Sequence, residues 1–137
     1  MNTNKTYYLI SLILFSLAII GAVANSIINY DVEVLKFIKL GYPTYLIQVI
    51  ATAQLLGLII IITKQGKWLV EWAYAGLFMN MLFGIIAHLL ARDGNGATAV
   101  LCLIIVWITY VFEKKVRYEI KVTKKEKQPY TNLEKVI

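Results

Sequence analysis

The stretch Glu71–Asp93, EWAYAGLFMNMLFGIIAHLLARD, is long, apolar and closed by charged residues at both ends. About 20 helical residues at 1.5 Å each cross the hydrocarbon core of a bilayer, so this segment reads as a membrane span. Stepping about 100° per residue from Ala73 at 0° puts Gly76 at roughly −60°, Asn80 at −20°, Gly84 at +20°, Ala87 at −40° and Ala91 back at 0°. One narrow face therefore carries small residues and a single amide. The opposite face carries Phe78, Leu82, Ile85, Ile86 and Leu89. In lipid, small residues let helix backbones approach, and a buried amide can hydrogen-bond across the interface. The small face is expected inside a bundle and the bulky face toward lipid, with His88 on the shoulder of the small face.

The rest of the chain supports lipid as its solvent. Of 137 residues, 59% are hydrophobic and 16% charged, against about 45–50% and about 25% in an ordinary soluble domain. The net charge of +6 does not point to nucleic acid, because most of the basic residues lie in the last quarter. The single cysteine, Cys102, excludes an internal disulfide and any multi-cysteine metal site. No metal site is expected.

Four apolar spans are expected, at about residues 7–28, 45–63, 72–91 and 97–112, followed by a basic tail over 113–137. Tyr7 and Tyr8 open the first span where interfacial aromatics belong. Ala22-Val23-Ala24 resembles a signal-peptidase site, but the run is longer than a usual signal core and three more spans follow, so an uncleaved helix is preferred. Between the first two spans, Asp31, Glu33, Lys36 and Lys39 alternate with Val34, Leu35, Phe37 and Ile38. That spacing permits a short amphipathic helix at the interface, which Gly41-Tyr42-Pro43 would end. Lys64–Lys67 and Arg92–Gly96 read as tight turns. The tail, EKKVRYEIKVTKKEK, reads as a strand, a helical extension or a disordered segment, with a short fraying helix preferred.

The fold expected is therefore all-α, a transmembrane four-helix bundle with both termini cytoplasmic. Lys5, the Lys64–Lys67 turn and the tail hold eleven of the fourteen basic residues, and the other side holds Lys36, Lys39 and Arg92. Positive residues stay inside. That orientation suggests two polar layers, Gln48, Thr52 and His88 near the outer surface and Gln54 with Asn80 near the midplane. The membrane expected is the bacterial cytoplasmic membrane.

Leu40-Gly41-Tyr42-Pro43, Ala53-Gln54-Leu55-Leu56-Gly57, Glu71-Trp72-Ala73-Tyr74-Ala75-Gly76 and His88-Leu89 with Asp93, in this order and spacing, resemble the DoxX-like family. The resemblance covers the chain from about Tyr8 to Phe112, and the Glu71–Gly76 block is its most specific part. It implies a four-helix membrane protein related to a subunit of a thiosulfate–quinone oxidoreductase, with a quinone as the implied ligand and a redox protein as the implied partner. Where the family pattern leads one to expect Lys in the second span, this chain has Gln54, so no role for a buried cation there is implied.

His88 is the only histidine. Ionisable groups within spans are costly and tend to mark function, and an imidazole titrates near neutral pH. His88 with Gln48 is thus a candidate ligand or proton-relay site, with Asp93 able to orient the ring and Asn80 and Gln54 as further polar candidates; the competing reading makes His88 a packing residue. Glu71 is expected to cap the third span where the dipole favours a carboxylate, Trp72 and Tyr74 to anchor the interface, and Asn80 to bridge helices. There is no histidine pair of haem type, no CxxC, no phosphate-binding glycine loop and no Ser/His/Asp set. Electron chemistry would have to come from a cofactor or partner. The leading expectation is an accessory or anchoring subunit of a membrane redox or quinone-linked system, more a subunit than an enzyme on its own. The alternatives are a quinone- or small-molecule-binding membrane oxidoreductase with its site near His88, and a small permease component. Association into oligomers is compatible with all three.

Overall fold

The computed structural model describes residues 3–92 and 96–134, with side chains described as far as residue 126. Five helices make up the chain: α1 (Thr3–Ile28), α2 (Tyr30–Lys39), α3 (Leu46–Thr63), α4 (Lys67–Ala91) and α5 (Ala97–Glu134). All but α2 are long and apolar enough to cross a membrane. They form a ring in which α1 touches α3 and α5, and α4 touches α3 and α5. Neighbours are antiparallel. The start of α1 meets the far part of α5 through Tyr7 and Phe112 and meets the end of α3 through Tyr8 and Lys64.

The core is apolar and narrow. Phe15 and Ile19 from α1, Leu58 and Ile61 from α3, Leu77 and Met81 from α4, and Cys102 and Val106 from α5 pack together. Only 17 to 28% of each apolar window is buried inside the bundle. Ile13, Leu17, Leu56, Phe83, Leu90, Leu101 and Ile104 point outward, an exposed apolar girdle that a protein in water would rarely carry. Three aliphatic hydroxyls in the spans bond to their own helix: Ser16 donates to the Leu12 carbonyl, Thr63 to Ile59 and Thr109 to Ile105, as polar groups in lipid require.

The loops show why the helices stop. The Asn29 amide donates to Asn25, whose own amide donates to Glu33, holding the α1–α2 corner. At the end of α2 the Gly41 N–H bonds to the Ile38 carbonyl and the Tyr42 N–H to Phe37, a Schellman ending with Gly41 in the left-handed region at φ 78°. The Tyr42 ring lies against Phe37, 6.4 Å between centroids, and Pro43 prevents continuation. The Gly41-Tyr42-Pro43 element thus has a structural role. No residue of α2 is buried, and Val32, Leu35 and Ile38 stay exposed, in keeping with an interfacial helix. Left-handed Lys64 (φ 52°) and Gly66 (φ 86°) make the α3–α4 turn, and Arg92 (φ 52°) ends α4.

Three expectations need correction. The face of α4 that enters the bundle is Val70, Ala73, Tyr74, Leu77, Met81 and Ala87, turned by about 60° from the small-residue stripe. Gly76 faces open space, while Phe78, placed on the lipid side by the wheel, packs on the core. The small residue that admits a neighbour closely is Gly57 on α3, where an added Cβ would lie 3.2 Å from the Leu77 side chain. Large α4 side chains fill the seam, so residue size alone misplaced it. Second, α4 begins at Lys67, which puts Glu71 in its second turn and rules out a capping role. The two left-handed residues close the turn sooner than its polar composition suggests. Third, the helical extension expected after Phe112 is present but is not short: it continues α5 without a break to Glu134. Glu113 and Val116 are buried, so the first turns beyond the apolar run still belong to the bundle.

Candidate functional site

Glu71, Tyr74 and Phe78 lie three and four residues apart and share one face of α4, while Trp107, Tyr110, Lys114 and Arg117 share one face of α5. The helices run antiparallel, so the two stripes meet. Tyr74 and Tyr110 contact edge to face at 5.3 Å, Phe78 and Trp107 at 6.0 Å, and Trp107 and Tyr110 at 6.5 Å. Between them lies a groove of about 510 Å³ lined by Glu71, Trp72, Tyr74, Phe78, Trp107 and Tyr110, within the roughly 300–1,000 Å³ usual for small-molecule sites.

An ion-pair network closes one end of this groove. Tyr110 donates to one oxygen of Glu71 at 2.8 Å, and Arg117 Nη1 donates to the other at 3.0 Å. Lys114 lies 3.3 Å from Glu71. Arg117 also grips Glu113 with two nitrogens, Nε at 2.9 Å and Nη2. Glu113 is 7% exposed, and its burial is tolerable because the planar guanidinium meets both carboxylate oxygens. One arginine therefore holds two carboxylates from two helices. Next to it, Asn4 of α1 donates to Glu119 at 2.6 Å, tying the first helix to the same end.

Two phenols in this region are unsatisfied. Tyr8 and Tyr74 are 2% and 3% exposed, and both hydroxyls are buried with no hydrogen-bond partner. The two hydroxyls are each other's polar neighbours between α1 and α4, so the pair belongs to the core and not to the open face of the groove.

The residues singled out in the sequence fall elsewhere. Gln48 is exposed, and Gln54, Asn80 and His88 are half-buried. Gln54 and Asn80 lie one turn from the Gly57–Leu77 contact on their respective helices, which places them at one level. His88 packs over Gly96, where an added Cβ would lie 3.3 Å from its own. Asp93 lies outside the described residues. Among the described residues no group of three or more His, Cys, Asp or Glu could hold a metal ion. Glu113, Arg117, Tyr110 and Trp107 were missed. The spacing of Glu113 and Arg117 is a legible i,i+4 pair, but it sits where the composition turns basic and reads as tail.

The model of the DoxX-like family matches residues 9–110. The chain belongs to the DoxX-like family. No curated protein and no solved structure matches it. In this DoxX-like chain the matched segment contains Glu71, Tyr74, Trp107 and Tyr110, while Tyr8, Glu113 and Arg117 lie just beyond its ends. Glu71, Trp72, Tyr74 and Ala75 of the Glu71–Gly76 block supply the first part of the α4 wall of the groove.

Proposed function

We propose that this DoxX-like protein is an accessory membrane subunit of a quinone-linked redox system and receives the ring of a lipid-soluble quinone in the α4–α5 groove. The observation that carries this reading is the groove itself, about 510 Å³ and walled by Trp72, Tyr74, Phe78, Trp107 and Tyr110 beside the Glu71 carboxylate. A flat ring suits Trp72, Phe78 and Trp107, which offer offset and edge contacts. Glu71, already engaged by Tyr110 and Arg117, borders the groove as a fixed negative charge. A bound quinone would supply reversible electron and proton uptake. The electrons would come from a partner protein, since one cysteine and one histidine give the chain no redox pair of its own. Lys64, Lys67 and the basic stretch of α5 gather at the groove's charged end, which by the positive-inside rule faces the cytoplasm, in a bacterial cytoplasmic membrane.

A photoreactive quinone analogue added to native membranes tests the site. Label should fall on residues 72–79 and 106–110; label confined to 48–54 or 85–91 contradicts the groove. Purification in mild detergent tests the role. A redox subunit should accompany the chain, and repeated isolation of the chain alone contradicts an accessory function.

A further inference from the structure

A second cavity, of about 180 Å³, lies beside the α3–α4 turn and is lined by Tyr8, Lys64, Gly66, Lys67, Glu113 and Arg117 among others. It is separate from the aromatic groove and no part of the quinone reading depends on it. We propose that it binds the phosphate group of an anionic membrane lipid.

Four observations converge. No side chain caps the N-terminus of α4 and its first turn holds no acidic residue, so the first N–H groups of a 25-residue helix are offered to an anion. Gly66, in the left-handed region, brings the turn backbone to the cavity edge. The Tyr8 ring lines the cavity, and Lys64 Nζ sits 5.0 Å from its centre, which holds that ammonium at the cavity wall. The cation balance is uneven. Arg117 is committed to Glu113 and Glu71, and Lys114 to Glu71. Lys64 and Lys67, which line the cavity, have no carboxylate partner among the described residues.

The cavity's other walls choose the source of the phosphate. Val70, Val116 and Ile120 line it, and it opens at the end of the apolar spans. A free phosphate dianion gains nothing from these side chains. A lipid phosphate meets the lysines and the helix start while its acyl chains continue along the outward-facing apolar surface. Lysines near a membrane surface favour anionic lipid in the same direction, but here the contacts define one place on the protein.

Native mass spectrometry of the full chain tests the proposal, in micelles doped with phosphatidylglycerol or with phosphatidylcholine. One phosphatidylglycerol should be retained, and phosphatidylcholine far less. Lys64→Gln with Lys67→Gln should weaken retention about 30-fold, about fivefold per lysine. Lys124→Gln with Lys125→Gln, which removes the same charge from exposed positions, should leave it unchanged. Equal retention of the two lipids overturns the proposal, as does an equal loss in the Lys124/Lys125 variant. Binding of inorganic phosphate that depends on Lys64 and Lys67, with no lipid retained, overturns the lipid source.

Discussion

The two ends of the bundle are built differently. At the end that holds α2, the side-chain contacts of the α1–α2 corner are local and exposed: Asn25 to Asn29, Asn25 to Glu33, and Lys36 to Glu33, three to eight residues apart. At the end where α4 starts, the contacts join helices. Glu71 reaches Tyr110 across 39 residues of sequence and Arg117 across 46, and Asn4 reaches Glu119 across 115. The first kind of contact shapes a corner. The second kind clamps three helices around two buried hydroxyls and an aromatic groove. A chain in lipid gains little from apolar helix–helix contact, so inter-helix polar contacts carry more of the burden of holding its helices in register.

The sharpest way to break the comparison is to remove one charge from each end. Arg117→Ala leaves Glu113 buried without its partner and should cost about 3–5 kcal/mol, read as a lowered unfolding temperature in detergent. Lys36→Ala, which removes an exposed pair, should cost well under about 1 kcal/mol. Equal effects would erase the distinction. Packing comes next. Gly57→Leu drives a side chain into Leu77 and should cost about 1–3 kcal/mol, whereas Gly76→Leu points into open space and should change stability by less than about 0.5 kcal/mol. The reverse order would restore the small-residue seam that the wheel suggested. A smaller effect belongs to the α2 corner: Gly41→Ala must hold φ 78° and should cost about 1 kcal/mol by the same thermal measurement.

The sequence made the four spans legible because hydropathy over 20 residues depends on composition alone. The amphipathic α2 was legible from its spacing, and its stop from Gly41 and Pro43. What it hid depends on pairs far apart. Glu71 looks like a capping carboxylate until Tyr110 and Arg117 arrive from another helix. Glu113 and Arg117 form a plain i,i+4 pair, but only packing shows that the pair is buried. The lone histidine draws attention by its rarity, yet chemistry needs several groups in one place, and among the described residues the buried phenols and the inter-helix ion pairs gather at the opposite end. The rotation of α4 was hidden for a related reason. Small residues permit close approach, but Tyr74, Leu77 and Met81 bury more surface, and the side with more to bury turned inward.

Tryptophan fluorescence of the purified chain, titrated with a short-chain quinone, addresses the groove most directly, because Trp68, Trp72 and Trp107 all belong to the α4–α5 end. Quenching should saturate. Phe78→Leu should weaken the apparent affinity about 3- to 10-fold, and His88→Ala should leave it unaltered. Quenching that never saturates, or that survives Phe78→Leu and vanishes with His88→Ala, would contradict a binding site between α4 and α5.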